Sequence, residues 1–336
     1  MERGFEVFKE DDIRPALLFE ETQSAYAEDI KWLTARREKF VEVSCPACES
    51  DKKTFHFEKN GFKYHKCSAC RTVYISPRPS VKLMSEFYEN SKGYEFWAKK
   101  VFPASDQARI EKIYKPRAND IIELCKKHGI KNHLMVEVGA GFGSFAKTMT
   151  EANFFDSILI IEPNLALAEK CREKGLKVIN SVVEEAKLDA KADVIVSFEV
   201  IEHLFSAMQF ILQCKELLHK TGMIVFSCPN MEGFDNLCLG IHSSTIDHEH
   251  VNYFNPESLS LLFDRCGFDV IEVYTPGKLD AELVRNHALK DQAFLKGNPF
   301  LEHILLEKWP QFGNPFQKFL AENQLSGHMW IVARTR

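Results

Sequence analysis

The spacing of apolar and polar positions changes along the chain, and each spacing predicts a different kind of structure. Residues 12–40 place apolar side chains at helical spacing with charged residues between them, which predicts an amphipathic helix. Residues 45–80 form short, cysteine-punctuated, β-like runs. Residues 81–130 return to helical spacing, with helices predicted at Val81–Glu89 and Asp106–His128.

From Leu134 onward, short apolar runs alternate with helical stretches, a pattern typical of a parallel α/β sheet. The predicted strands are Leu134–Val138, Ser157–Ile161, Lys177–Ile179, Asp193–Phe198 and Met223–Ser227. The helices predicted between and after them are Ser144–Ala152, Leu165–Lys174, Ala207–His219 and Pro256–Cys266. Two further strands are predicted at Asp269–Tyr274 and Met329–Ala333, with a helical insertion between them.

Composition narrows the class of protein without changing this picture. The chain has 336 residues and a formal net charge of -5, which does not favour a nucleic-acid partner. We expect no membrane partner and a cytoplasmic location, because no apolar run approaches the ~20 residues of a bilayer span and Met1–Asp12 is charged. In a reducing compartment, ten cysteines indicate metal ligands or buried thiols. The sequence predicts no oligomeric state.

A glycine-rich turn, Gly139–Gly143, follows the first strand of the alternating region and precedes a helix. The glycines have the spacing G-x-G-x-G, whereas dinucleotide-binding sites have G-x-G-x-x-G. Glu137 lies in the strand just before the turn, where a carboxylate would repel a diphosphate but attract an amino group. Glu162 ends the next strand and can accept from both hydroxyls of a ribose. The motif therefore predicts a ligand that carries a cation and a ribose.

At these residues the sequence resembles the class I S-adenosylmethionine-dependent methyltransferases, over Leu134–Tyr274 and the last strand. The resemblance implies a Rossmann-like α/β fold with a seven-stranded sheet whose last strand pair is antiparallel. It also implies S-adenosylmethionine as cofactor, with Val182–Glu184 near the adenine. The residues then expected to bind the cofactor are Glu137, Gly139, Ala140, Gly141, Phe142, Gly143, Glu162, Pro163, Val183, Phe198 and Glu199.

Two cysteine pairs, Cys45/Cys48 and Cys67/Cys70, have C-x-x-C spacing and enclose eighteen residues. This spacing predicts a zinc site, and four thiolates would leave no open position on the ion, so the zinc is expected to be structural. Asn60-Gly61 between the pairs predicts a hairpin turn. The expectation is a small β zinc ribbon. Because zinc ribbons also bind nucleic acid, an RNA methyltransferase stays open as an alternative.

The ribbon, followed by Val73–Pro79 and Glu86–Tyr88, resembles the zinc-ribbon methyltransferases of nucleotide-sugar and surface-polysaccharide pathways, including sugar C-methyltransferases. This chain is shorter after its sixth strand than those C-methyltransferases, which leaves O- and C-methylation both open. The expected domains are an N-terminal helical segment (1–44), the zinc ribbon (45–80), a helical linker or lid (81–130), the cofactor-binding core (131–275) and a helical insertion with the final strand (276–336).

Acidic and histidine residues cluster in two later segments, Glu199-x-x-Glu202-His203 and Asp247–His250. Both are expected at the carboxyl ends of strands, where α/β sheets hold their substrates. One hypothesis makes His250 a general base oriented by Glu249, as the Glu-His pair of sugar C-methyltransferases implies, with His203 as a further catalytic residue. The other makes Glu199, Glu202, His203 and His250 the ligands of a divalent cation such as Mg²⁺. The E-x-x-E-H pattern resembles metal-dependent O-methyltransferases of ubiquinone biosynthesis and of small-RNA 3′ ends.

The resulting hypothesis is an S-adenosylmethionine-dependent methyltransferase that acts on a small hydroxylated substrate, with a nucleotide-linked sugar or surface-glycan precursor as the favoured acceptor. Two alternatives accompany it. One is a metal-dependent O-methyltransferase acting on RNA or another small molecule. The other is a scaffold that binds S-adenosylmethionine without transferring its methyl group.

Overall fold

The computed structural model describes residues 8–336, so the first part of the Met1–Asp12 stretch lies outside the described residues. The N-terminal segment forms helices α1 (Glu10–Ile13) and α2 (Ala16–Thr34). The sequence predicted one helix over 12–40, but Pro15 caps α2, because proline is favoured at helix starts and interrupts helix interiors. None of the helices in this described part of the chain combines the length and apolar character needed to cross a bilayer.

The cysteine-rich region is a set of short strands. In chain order they are β1 (Phe40–Val41), β2 (Lys53–Lys59), β3 (Phe62–Cys67), β4 (Val73–Ile75) and β5 (Arg78–Pro79). The β2–β3 hairpin turns at Asn60-Gly61, where both residues have positive φ (54° and 78°), as the sequence predicted. β1 pairs with β5, whereas β2, β3 and β4 are neighbours in a four-stranded sheet.

A long helical segment links this region to the core. It consists of α3 (Val81–Asn90), α4 (Lys92–Phe96), α5 (Phe102–Arg109) and α6 (Lys115–His128), and π-helical turns at 97–101 and 110–114 join the last three. The helix predicted at Asp106–His128 therefore begins earlier, near Lys92. It ends at Gly129, whose positive φ of 61° forms the usual left-handed C-terminal cap.

The core follows the predicted alternation of strands and helices. Its elements in chain order are β6 (Leu134–Val138), α7 (Ser144–Glu151), β7 (Ser157–Ile161), α8 (Leu165–Glu173), β8 (Lys177–Ile179), β9 (Ala192–Phe198), α9 (Ala207–Leu217), β10 (Leu218–Pro229), α10 (Phe234–Leu239), β11 (Asn252–Tyr253), α11 (Pro256–Arg265), β12 (Phe268–Tyr274), α12 (Asp280–Lys290), α13 (Pro299–Glu302), α14 (Trp309–Glu322) and β13 (His328–Thr335). The seven-stranded sheet has the order β12-β13-β10-β9-β6-β7-β8. β13 runs antiparallel to both of its neighbours, which confirms the predicted Rossmann-like sheet with an antiparallel last pair.

The sheet is buried on both faces, which explains why its central strands are mostly apolar. All seven residues of β9 are buried. Ile195 packs on one face with α9 and α11, and Val194 and Val196 pack on the other face with α6 and α7. The segment α12–α14 has an apolar cluster of its own, which also includes Leu239 of α10.

The four-stranded sheet of β2, β3 and β4, here called the ribbon sheet, takes its fourth strand from the core segment of the chain, which the sequence did not predict. β11 adds to the ribbon sheet as the antiparallel neighbour of β4, with Tyr253 opposite Val73 and Asn252 opposite Tyr74. The segment just before β11 contains His250. The ribbon sheet therefore includes the end of the loop that carries the predicted catalytic histidine.

Candidate active site

The glycine-rich turn connects β6 to α7 in backbone conformations that favour glycine. Gly139 and Gly143 have φ values of 75° and 68°. A Cβ on Gly139 would lie 2.6 Å from Val200 Cγ2, and one on Gly143 would lie 2.8 Å from Cys171 Sγ. Both positions are thus restricted by backbone conformation and by packing. The turn leaves the first N–H groups of α7 available to a ligand.

Glu137 lies behind this turn as a buried carboxylate with one unpartnered oxygen. It is 4% exposed, and within residues 8–336 its Oε2 has no hydrogen-bond partner. Burial raises its pKa to about 8, although the nearby Arg117 charge acts in the opposite direction. A buried acceptor without a donor is costly, so this position suits a ligand that brings an N–H donor or a positive charge.

Glu162 ties the end of β7 to the same turn. Its carboxylate accepts hydrogen bonds from the backbone N–H groups of Gly141 and Asn164, both at 3.0 Å. Burial raises its pKa to about 7, while the two backbone donors lower it. Each oxygen has a second lone pair, so the carboxylate can still accept from ribose hydroxyls.

The other predicted cofactor residues lie around this turn in different settings. Val183 is a core residue, 5% exposed, whereas its neighbour Val182 is 43% exposed. Phe142 packs against Phe102 of α5, with ring centroids 5.1 Å apart, so α5 contacts the turn. Phe198 is buried at the end of β9, 4.9 Å from the ring of Phe145.

Arg117 of α6 is a candidate residue that sequence reasoning missed. Its guanidinium carbon lies 4.0 Å from the ring centroid of Phe198, close enough to Glu137 and Glu199 that both raise its pKa against the larger lowering by burial. Its Nε has no partner in the described part of the chain. The sequence contained a signal for this residue. Arg117 lies on the same helical face as the buried Ile121, and a charge on an apolar face needs a partner.

A second group of side chains, here called the Glu–His cluster, consists of Glu202, His203 and His250. One ligand atom from each lies within 4.8 Å of the other two. Glu202 and His203 belong to the short helical turn after β9, and His250 precedes β11. The two imidazole centroids are 4.5 Å apart. The fold thus brings together three of the four residues predicted as cation ligands.

Hydrogen bonds to backbone carbonyls fix the tautomers of both histidines. His250 Nδ1 lies 2.7 Å from the Thr245 carbonyl oxygen, and His203 Nδ1 lies 3.2 Å from that of Glu249. A carbonyl only accepts, so each Nδ1 carries the proton and each Nε2 keeps a lone pair. Burial and the neighbouring His250 lower the pKa of His203 to about 3, so that imidazole is neutral. This is the arrangement typical of metal-binding or proton-accepting histidines.

Glu202 completes the cluster as a third acceptor. It is 1% exposed, and neither carboxylate oxygen has a partner among the described residues. Burial, followed by the charge of Glu199, raises its pKa well above the usual range. A buried carboxylate beside two imidazole lone pairs forms a set of acceptors that only a proton or a cation can satisfy.

The structure differs from two sequence expectations at this site. The Glu199 carboxylate is engaged elsewhere, accepting from Ser227 Oγ at 2.6 Å and lying 3.1 Å from His328 Nδ1, so it does not join the cluster. Glu249 does not orient His250 through its side chain, which lies 3.9 Å from His248 Nε2. The Thr245 carbonyl takes that orienting role. In both cases the residues are neighbours of the cluster in the chain, but spacing along the chain does not determine where their side chains point.

The ribbon sheet holds the loop that carries His250. Tyr64 of β3 donates its hydroxyl to the Asp247 carbonyl at 2.7 Å. Lys59 of β2 donates to the carbonyls of Ser243 and Ile246, at 2.9 and 2.5 Å. These bonds join side chains of the β2–β3 hairpin to the backbone of the loop. The position of His250 therefore depends on the hairpin.

Asn252 of β11 extends this connection to the other half of the Glu–His cluster. Its Oδ1 accepts from the buried Arg78 at 2.8 Å, and its Nδ2 donates to the carbonyls of Ile201 and Leu204. Ile201 is the residue before Glu202. Asn252 thus connects the ribbon region to the turn after β9.

The four predicted zinc ligands converge at the opposite end of the hairpin. The Sγ atoms of Cys45, Cys48, Cys67 and Cys70 lie within 4.8 Å of one another. The Cys45–Cys70 and Cys48–Cys67 separations are 3.4 and 3.5 Å, and all four are free thiols. Tetrahedral zinc with bonds of ~2.3 Å requires sulfurs ~3.8 Å apart, so these thiols fit a four-coordinate zinc ion after small shifts.

Comparison with known proteins agrees with this geometry. Residues 110–273 match a family model described as a methyltransferase domain. A ubiquinone biosynthesis O-methyltransferase of Rickettsia bellii is 30% identical over 178 residues, which cover 49% of this chain and 74% of the relative. The enzyme of the same name from Rickettsia felis is 31% identical over 127 residues, 36% of this chain and 52% of the relative.

The chain therefore belongs to the class I S-adenosylmethionine-dependent methyltransferases. The relatives named above are ubiquinone biosynthesis O-methyltransferases, and neither name mentions a sugar nucleotide. A solved S-adenosylmethionine-dependent methyltransferase from Clostridium acetobutylicum aligns over 66% of this chain and 92% of its own, with 10% identity and a TM-score of 0.44.

Proposed function

We propose that this methyltransferase transfers the methyl group of S-adenosylmethionine to an oxygen of a small hydroxylated molecule, and that Glu202, His203 and His250 hold a divalent cation beside the acceptor. The observation that carries this proposal is the unpartnered, buried Glu202 carboxylate, which has a ligand atom within 4.8 Å of a ring nitrogen of both His203 and His250. The names of the relatives support a small-molecule oxygen acceptor.

The cofactor would lie over the glycine-rich turn. Glu137 has the free acceptor for an amino group, Arg117 has a buried guanidinium for a carboxylate, and Glu162 has lone pairs for the ribose. Ala140, Pro163 and Phe198 are expected to line the same space. The bound cofactor supplies the methyl group on a sulfonium. The protein's contribution is to place the acceptor oxygen in line with it.

The Glu–His cluster suits a catalytic cation more than a structural one. Two imidazoles and one carboxylate offer three ligands, and a cation with three protein ligands keeps positions open for a substrate oxygen. Such an ion would lower the pKa of an acceptor hydroxyl. The carbonyls of Thr245 and Glu249 hold both imidazoles in the ligating tautomer.

A second candidate mechanism uses His250 alone as the general base. Its Nε2 is unprotonated in the tautomer that the Thr245 carbonyl imposes, so it can accept a proton from the acceptor. In this mechanism His203 would be an uncharged imidazole packed beside His250, and the reaction would need no cation. The nucleotide-linked sugar acceptor predicted from the sequence stays a prediction under either mechanism.

A methyl-transfer assay with labelled S-adenosylmethionine separates these candidates. The acceptor panel would contain catechols and nucleotide-linked sugars, and the enzyme would be treated with a chelator under conditions that keep four zinc-bound thiolates intact. We expect transfer to a hydroxyl to fall ~100-fold or more with chelator and to return with Mg²⁺ or Mn²⁺. Full turnover in chelator would favour the general base.

Two further outcomes test the remaining alternatives. Cofactor binding in calorimetry without transfer to any acceptor would favour the scaffold. Salt-sensitive RNA binding with transfer to RNA would favour the RNA methyltransferase. A His219→Ala variant is the matched control, because His219 is exposed and lies outside the Glu–His cluster.

A further inference from the structure

A second group of potential ligands lies beside the proposed active site, and its side chains have no role in the proposed reaction. It consists of Asp29, His248 and Glu249, whose ligand atoms lie within 4.8 Å of one another. Asp29 belongs to α2, whereas the other two residues belong to the loop before β11. The group therefore joins parts of the chain that are distant in sequence.

His248 is the residue that makes this group unusual. It is 1% exposed, and its Nε2 has no hydrogen-bond partner in the described part of the chain. The imidazole packs against the rings of Tyr26 and Phe87. Their ring centroids lie 5.4 and 5.8 Å from the imidazole centroid, and both ring planes are nearly perpendicular to the imidazole plane. Nε2 lies 3.9 Å from Glu249 Oε1, which is too long for a hydrogen bond but short enough for both atoms to bind one ion.

Asp29 is fixed in place by donors from the start of α4. Its Oδ2 accepts from Ser91 Oγ at 2.7 Å and from the Gly93 N–H at 2.8 Å, and its Oδ1 accepts from the Lys92 N–H at 2.8 Å. Among residues 8–336, Oδ1 accepts this one bond, so it keeps a lone pair. Outer hydrogen bonds of this kind orient metal-binding carboxylates in proteins.

The group also has charge and access suited to a cation. Asp247 adds a third carboxylate beside the group, and its Oδ1 accepts a hydrogen bond from the Glu249 N–H at 2.9 Å. A cavity of about 130 Å³ reaches Asp29 and is also lined by Glu28, Trp32 and Lys92. Lys92 Nζ is paired with Glu95 at 3.1 Å. Asp29 is the member of the group that lines this cavity, which has room for a few water molecules beside that carboxylate, since one water occupies ~30 Å³.

We infer that Asp29, His248 and Glu249 bind a divalent transition-metal ion, of the class that accepts mixed imidazole and carboxylate ligands, and that this ion ties α2 to the loop carrying His250. One imidazole and two carboxylates balance the charge of such an ion. The Glu249 carbonyl already accepts from His203 Nδ1, so an ion on the Glu249 side chain would also restrict the Glu–His cluster.

Counting bound Mn²⁺ by electron paramagnetic resonance tests this inference on the full chain with its thiolate-bound zinc retained. Mn²⁺ prefers oxygen and nitrogen ligands and does not compete for four thiolates. We expect one equivalent of Mn²⁺ to be lost in His248→Gln and in Asp29→Asn, and to be retained in His219→Ala. An unchanged Mn²⁺ count in both cluster variants would overturn the inference. Thermal melts identify a variant that is misfolded, and the other variant then decides.

The same measurement keeps this site distinct from the proposed function. Glu202→Gln should remove a different equivalent of Mn²⁺, the one bound by the Glu–His cluster. Loss of Mn²⁺ in Glu202→Gln but not in His248→Gln would support the proposed function and contradict the inferred second site. Hydrogen exchange gives a second readout, because only the inferred site includes α2. Mn²⁺ should slow exchange in α2 in the unmodified chain and leave it unchanged in Asp29→Asn. Equal slowing in both would contradict the tie between α2 and the loop.

Discussion

The cysteine cluster and the Glu–His cluster show how the number of ligands separates a structural site from a reactive one. The four thiols come from two C-x-x-C turns and can enclose an ion completely. The Glu–His cluster offers three ligands from two loops at the carboxyl end of the sheet, where space for a substrate is expected. A closed set of ligands stabilises, and an open set leaves room for chemistry.

The two clusters are also mechanically connected. Cys67 ends β3, the strand that carries Tyr64, and Tyr64 bonds to the loop before His250. β4 pairs with both β3 and β11. A zinc ion in the cysteine cluster would therefore stabilise the sheet that positions one half of the proposed reactive cluster. Perturbing the thiols should affect catalysis indirectly, whereas perturbing the Glu–His cluster should leave stability largely intact.

The largest effect is expected from His203→Ala, which removes one open-site ligand. We expect kcat/KM to fall ~10³-fold, on the order of 4 kcal/mol in transition-state stabilisation, because the acceptor oxygen would no longer be activated. Cofactor affinity in calorimetry should be unchanged, since Glu137 and Glu162 do not contact this group in the proposed site. Equal losses of activity and cofactor affinity would contradict the separation of the Glu–His cluster from the cofactor site.

Cys67→Ser should lower stability rather than act directly on catalysis. We expect loss of bound zinc and a fall in the free energy of unfolding on the order of 3 kcal/mol, because a closed metal site contributes directly to folding. Denaturant unfolding and zinc release measured with a chromogenic chelator would check this. Cys238→Ser is the matched control, since Cys238 is a half-buried free thiol outside the cluster. An equally large loss of stability in Cys238→Ser would contradict a structural role for the cysteine cluster.

The sequence predicted the cysteine cluster more completely than the Glu–His cluster, for a physical reason. The four thiols are close in the chain, so C-x-x-C spacing nearly determines their geometry. The strands and the glycine-rich turn were also predictable, because periodicity and backbone φ are local properties. The pairing of His250 with Thr245, the engagement of Glu199 by His328 and the addition of β11 to the ribbon sheet depend on contacts between distant segments.

A smaller effect is expected from a substitution at Glu162. This residue belongs to neither cluster, so its effect can be compared with those of the two cluster variants. Glu162→Gln should raise KM for S-adenosylmethionine about tenfold, or ~1.4 kcal/mol, because a carboxamide has one acceptor oxygen where the carboxylate has two. We expect kcat to change little, as measured in initial rates at saturating cofactor. A large fall in kcat with constant KM would assign Glu162 to the chemistry of the Glu–His cluster.

The smallest effect concerns Glu137, which shares with Glu202 the property of a buried acceptor without a donor. Its pKa of about 8 in the fold lies above the usual 4.5, so the unfolded chain loses this proton first. Its contribution to stability is therefore full below pH 4.5 and is lost as the pH rises toward 8. Between pH 5.5 and pH 8.5, the cofactor-free protein should lose a few degrees of Tm relative to Glu137→Gln. S-adenosylhomocysteine, which brings an amino group, should reduce that difference, and an unchanged difference would place the amino group elsewhere.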